Sequence, residues 1–142
     1  MKLRGWIDGG ARGNPGPAGW GVRLIRDDGE EIHLRGFLGS ATNNVAEYSA
    51  LLEALATAVD EGATELTLFS DSQLLVRQMS GEYRVKHPNL IPLFLKARKL
   101  AAKIPKIRIE HVRREQNKEA DQLANEAMDS RVSKEVLRIT GD

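Results

Sequence analysis

Residues 3–10, Leu3-Arg4-Gly5-Trp6-Ile7-Asp8-Gly9-Gly10, and residues 66–73, Leu66-Thr67-Leu68-Phe69-Ser70-Asp71-Ser72-Gln73, share one plan. Each is an apolar run that ends on an aspartate and passes at once into glycine or polar residues. Runs of this length read as strands. If the two strands are parallel neighbours, Asp8 and Asp71 emerge at the same end of one sheet, where open α/β sheets hold their ligands. Carboxylates gathered there stay ionised together only with cations between them. The pair therefore points to a hard metal ion, Mg²⁺ or Mn²⁺, held by oxygen ligands.

Between these runs, Gly13-Asn14-Pro15-Gly16-Pro17-Ala18-Gly19 is a dense turn-forming loop, and residues 19–26 and 31–38 read as a hairpin about Asp27-Asp28-Gly29. Thr42-Asn43-Asn44 offers capping side chains to a helix whose apolar residues Val45, Tyr48, Leu51, Leu52, Leu55 and Val59 recur at helical spacing, with Gly62 as its stop. After the strand at 65–70, the pattern predicts a short helix at 72–79, a connector at 81–88 and a helix over 89–103 before the stop signal Pro105. A strand at 107–111 and a helix over 117–128 follow. The order βββαβααβα predicts a mixed α/β fold, a five-stranded mixed sheet with helices packed on it.

Composition narrows the function classes. The 142 residues suit one domain. The chain has no cysteine, which excludes disulfides, thiolate zinc sites and cysteine nucleophiles. Its start has no signal-peptide core and no window approaches a membrane span, so a soluble, cytoplasmic protein is expected, monomeric by default. The net charge of +1 conceals an asymmetry: between Arg84 and Lys118, eleven Lys and Arg side chains stand against Glu110 and Glu115. A basic segment beside an acidic remainder suits a protein that meets phosphates on one surface and cations on another, although the same charges can line a solvated helix face.

Two further acids stand out. Glu47 lies beside Ala46, within a turn of Ala50 and Leu51, and Asp121 lies beside Ala120 and Ala124 on the packing side of the last helix. An unpaired carboxylate is costly in such places. Singly, each acid has an ordinary explanation: Asp8 a turn residue, Glu47 the far partner of a capping box with Asn44, Asp71 part of a Ser70-x-x-Gln73 cap, and Asp121 an acid near a helix N-terminus. Their joint placement is what favours a metal site.

Four stretches together resemble the type 1 ribonuclease H family. They are Asp8-Gly9-Gly10 with the loop Gly13 to Gly19, Thr42-Asn43-Asn44-Val45-Ala46-Glu47, Ser70-Asp71-Ser72-Gln73, and Asn117-Lys118-Glu119-Ala120-Asp121-Gln122-Leu123-Ala124. The likeness covers residues 1–130 and implies a ribonuclease H-like catalytic domain there. It implies that Asp8, Glu47, Asp71 and Asp121 are the metal-binding catalytic acids of an endonuclease cutting the RNA strand of RNA–DNA hybrids, with duplex RNA left open as a second substrate. Two Mg²⁺ ions, or Mn²⁺, about 4 Å apart would activate water and stabilise the leaving oxygen without a protein nucleophile. The products would carry 5′-phosphate and 3′-hydroxyl ends.

RNA is distinguished from DNA through its 2′-hydroxyls, which both donate and accept hydrogen bonds. The resemblance assigns this work to the amides of Asn14, Asn43, Asn44 and Gln73 and to close backbone approach at Gly9 and Gly13, with Thr42 meeting a DNA-strand phosphate. Two departures stand out. The long basic, Trp-rich insertion of some bacterial members is reduced here to Gly81-Glu82-Tyr83-Arg84-Val85-Lys86-His87-Pro88, with Arg77 beside it. The histidine that many members carry in a loop before the last acid is absent, and Arg113-Arg114-Glu115-Gln116 stands there, Arg114 or Glu115 being the candidate substitutes; His111 belongs to the preceding strand. A hybrid-binding module without turnover has no need of all four acids, and transposase or integrase relatives usually bring a glutamate as the last acid. The tail, residues 131–142, carries Leu137 and Ile139 and is expected to dock by burying them.

Overall fold

The computed structural model describes residues 1–140. Three strands open the chain, β1 (Lys2–Ala11), β2 (Gly16–Arg26) and β3 (Glu31–Ala41), joined antiparallel in sequence. The helix α1 (Asn43–Asp60) leads to β4 (Glu65–Ser70), which lies parallel to β1, and α2 (Gln73–Met79) and α3 (Ile91–Ala101) lead to β5 (Lys106–His111), parallel to β4. The last long helix is α4 (Lys118–Ser130), and β6 (Glu135–Ile139) closes the described chain. The sheet order is β5-β4-β1-β2-β3-β6.

The mixed α/β architecture is the expected one, with one correction. The sheet has six strands, because the tail adds β6 antiparallel to β3, from Arg35↔Glu135 to Glu31↔Ile139. The expected burial does not occur: Leu137 is 59% exposed and Ile139 42%. Backbone pairing and charge hold the strand instead. Arg138 bonds Glu61 at 2.7 Å and also meets Glu30, Arg35 bonds Glu135 at 2.9 Å, and Lys134 reaches Glu53 at 2.8 Å. Gly141 and Asp142, the end of the predicted tail, lie outside the described residues.

Strand alternation assigns the two faces of the sheet. Leu3, Ile7, Val22, Leu24, Leu66 and Leu68 form one core with Tyr48, Leu51 and Leu55 of α1. The opposite face takes α4, and Gly21 allows a close approach: a Cβ there would lie 2.4 Å from the Ala120 carbonyl oxygen and 2.7 Å from the Ala124 nitrogen. One helix therefore reaches the end of β1 from each side of the sheet.

Candidate active site

The parallel register pairs Trp6 with Phe69 and Ile7 with Ser70, so Asp8 on β1 and Asp71, just past the end of β4, follow side by side. Thr42 caps α1, its Oγ1 accepting from the Val45 N–H at 3.2 Å, and Glu47 projects one turn later toward the end of β1. Its carboxylate accepts a very short bond from the Gly9 N–H, so it belongs to no capping box. Carboxylate oxygens of Asp8, Glu47 and Asp71 lie within 4.8 Å of one another, a donor set suited to a hard cation. Asp121 arrives from the far side on α4 close enough to Asp8 to help raise its carboxyl; it stands beside the group of three and outside that 4.8 Å grouping.

Burial decides the electrostatics. Asp8 and Glu47 are 8% and 9% exposed. Burial, then the charges of Glu47 and Asp71, pushes the Asp8 carboxyl far above the ordinary carboxylate range. Burial and the Asp71 charge raise Glu47 as well, against the pull of its bonds from the Gly9 N–H and with Asp8 and Ser72. Two acids held this way carry a standing demand for positive charge, which a divalent cation satisfies.

The acids form the floor of a cleft of about 510 Å³ whose lining includes Gly9, Asn43, Asn44, Ser72, Arg114 and Asn125. The predicted hybrid-contacting residues fall into two sets about it. Asn43 and Asn44 line it directly, while Gly13, Asn14, Thr42 and Gln73 lie outside its wall. Asn14 Oδ1 accepts from the Asn43 N–H at 3.0 Å, and Asn43 Oδ1 accepts from the Ala11 N–H at 2.8 Å. Both amides thus serve the loop with their oxygens and keep Nδ2 free, among the described residues, to donate outward. Gly13 has a φ of 103°, which the loop requires. Gly9 lines the cleft, and its missing side chain also admits α1: a Cβ there would sit 2.2 Å from the Ala46 carbonyl carbon.

Sequence reasoning passes over several residues. Ser72 caps α2, accepting from the Leu75 N–H at 3.2 Å, and lines the cleft beside Glu47. The Asp71 segment is therefore capped by Ser72, and the Ser70 hydroxyl accepts from the Ser72 N–H at 3.1 Å. Arg12 crosses the rim to Asp129 at 2.7 Å and to the Asn125 carbonyl oxygen at 3.5 Å. Asn125 has a signal, one turn after Asp121; Arg12 has none, because its partners are more than a hundred residues away.

The model of the reverse transcriptase-like family matches residues 7–127. Ribonuclease H1 from the archaeon Halobacterium salinarum superposes with a TM-score of 0.86 at 40% identity, over 92% of this chain and 99% of that one. The chain belongs to the type 1 ribonuclease H family. A second member of the family, LC11-RNase H1, solved in complex with an RNA/DNA hybrid, has a TM-score of 0.85 at 41% identity over 91% of this chain and 98% of its own. A curated relative, a bifunctional protein of Mycobacterium tuberculosis, is 48% identical over 92% of this chain and 36% of its own length. The chain thus spans about a third of the length of that relative.

Where many members of the family carry the loop histidine, Arg114 opens a short 3₁₀ turn (Arg114–Gln116) and lines the cleft; Glu115 does not. In place of the long insertion, Arg77 donates to the Tyr83 hydroxyl at 2.9 Å with its guanidinium over the ring, and Arg84, Lys86 and His87 are exposed.

Proposed function

We propose that this chain is a metal-dependent endonuclease that hydrolyses the RNA strand of RNA–DNA hybrids. The observation that carries the reading is the convergence of Asp8, Glu47 and Asp71 within 4.8 Å, with Asp121 against Asp8, at the floor of an open cleft. The hybrid-bound relative supports the substrate class. We assign residues 1–130 to the catalytic domain and residues 131–142 to a tail that adds an edge strand to it.

Asp8, Glu47, Asp71 and Asp121 would hold two Mg²⁺ ions, or Mn²⁺ in their place. Ions bound there would supply an activated water and charge stabilisation for the leaving 3′ oxygen, giving 5′-phosphate and 3′-hydroxyl ends. The chain's own residues bind and orient. Asn43 and Asn44 on the wall, and Asn14 and Gln73 beyond it, donate amide hydrogens to the 2′-hydroxyls of the RNA strand. Thr42 faces a DNA-strand phosphate, and the Arg114 guanidinium meets phosphate charge at the rim. Arg84 and Lys86 extend positive charge along the duplex.

The test is cleavage of an end-labelled hybrid with and without Mg²⁺, with single-stranded RNA, duplex RNA and duplex DNA as controls. Metal-dependent cutting of the RNA strand of the hybrid is expected, with product ends read by phosphatase sensitivity. Equal cutting of duplex DNA, or cutting in excess chelator, defeats the proposal.

A further inference from the structure

Asn117 is buried at 0% exposure and sits at the N-cap of α4, yet its side chain does not cap the helix. Asparagine at that position ordinarily accepts from an N–H of the first turn. Here Nδ2 donates to the carbonyl oxygen of Ile7, at 2.8 Å across 110 residues of sequence. Ile7 immediately precedes Asp8. The backbone carbonyl of Asn117 in turn accepts from the Asp121 N–H at 3.1 Å. One residue thus joins the peptide before the first acid to the helical turn that carries the last.

The geometry follows from helix and strand periodicity. Positions 117 and 121 lie one turn apart on the same side of α4. While Asn117 bonds the backbone at residue 7, Asp121 lines the same cleft as the side chain of residue 8. The same residue also closes the 3₁₀ turn of Arg114, its N–H bonding the Arg114 carbonyl at 3.0 Å.

This tether has a cost that packing alone does not explain. Asn117 Oδ1 is buried with no hydrogen-bond partner among the described residues. A buried acceptor left unpaired is unfavourable, and an apolar side chain of similar volume would avoid it. Rotating the amide would bring Oδ1 against the Ile7 oxygen, so the donor orientation is fixed by its one partner.

We propose that Asn117 is a positioning residue for the carboxylate site: its amide fixes the end of β1 against the start of α4, and so sets how Asp8 and Asp121 are presented together to a divalent cation. The inference rests on the reading of the four acids as metal ligands. Groups that orient metal-binding residues typically change metal affinity or activity by about 10–100-fold when removed.

The experiment compares full-length wild type with Asn117→Ala and Asn117→Leu. Mn²⁺ binding is followed by calorimetry without substrate, and hybrid cleavage is followed across a Mg²⁺ titration. Both variants should bind Mn²⁺ at least about tenfold more weakly and lose kcat by a similar factor, with KM for the hybrid unchanged within about twofold. Asn117→Leu is the discriminating variant, because it refills the space and spares the fold while removing the tether. A folded Asn117→Leu protein with wild-type Mn²⁺ affinity and kcat overturns the assignment. If neither variant folds, the wild type supplies the readout: the Asn117 side-chain amide signals in ¹⁵N spectra should shift along the Mg²⁺ binding curve, and signals that stay put overturn it. A wild type that binds no Mn²⁺ and leaves the hybrid intact would instead bring down the reading of the acids.

Discussion

The N–H of Gly9 donates to the carboxylate of Glu47, and the missing side chain at Gly9 is what lets α1 come close enough for that bond. An alanine there would place its Cβ 2.2 Å from the Ala46 carbonyl carbon and 2.5 Å from the Glu47 nitrogen, both backbone atoms. Gly9→Ala should therefore push α1 off the end of β1 and cost about 1–3 kcal/mol. Denaturant midpoints check the stability, and the Mg²⁺ concentration for half-maximal activity should rise, because Glu47 moves with its helix.

Asp71→Asn should abolish hybrid cleavage, leaving less than a few per cent of wild-type kcat at saturating Mg²⁺, while the fold survives. The substitution removes a ligand charge and disturbs packing little, since Asp71 is only partly buried. Circular dichroism and single-turnover cleavage measure the two halves of the statement. Substantial activity in a folded Asp71→Asn protein is the contrary result.

Without metal, Asp8 is pushed up to about 9 from its ordinary 3.8, and Glu47 shifts the same way. The fold keeps protons that the unfolded chain gives up, so this contribution to stability is full below the ordinary carboxylate range and is lost as pH rises toward about 9. In chelator, the thermal midpoint should fall from about pH 5 to 9 through these groups. Added Mg²⁺ should raise it more at the alkaline end, and Asp8→Asn should flatten the metal-free slope.

Exchanging Arg84 and Lys86 for Glu should weaken hybrid binding and reduce its salt dependence, by up to about one unit of slope for each phosphate that is no longer neutralised. Binding titrations across a salt series provide the measurement. An unchanged slope would mean that this exposed connector stays in solvent.

Truncation after Arg131 removes β6 with its ion pairs. Because Leu137 and Ile139 are exposed, the loss is confined to edge pairing and partly screened charge, and a change of about 1–2 kcal/mol is expected. The truncated protein should still cleave hybrid at low temperature, since the strand borders β3 and none of the acids.

The parts of the site visible in the sequence are those with a local signature. Asp8 and Asp71 each close an apolar run, and the parallel register of β1 and β4 places them side by side as that pattern implies. The sixth strand escapes the sequence for a physical reason. Val136, Leu137 and Ile139 suggest burial, whereas β6 is held by its ladder with β3 and by Arg138 and Glu135, interactions without periodicity. That Gly9 also makes room for α1 has no local signature in the sequence. Arg12 with Asp129, and Asn117 with Ile7, join residues whose separation in the chain hides their pairing.

The antiparallel pairing of β6 brings Ile139 beside Glu31, at the end of the sheet where β1 also begins. The first strand rises from Lys2 to Asp8 over about 20 Å, so Met1 and Ile139 both lie at the floor of the molecule while the cleft opens at its roof. A group attached at Met1 or Ile139 would start out behind the cleft. A passenger joined there would stand at the far end of the sheet from the four acids.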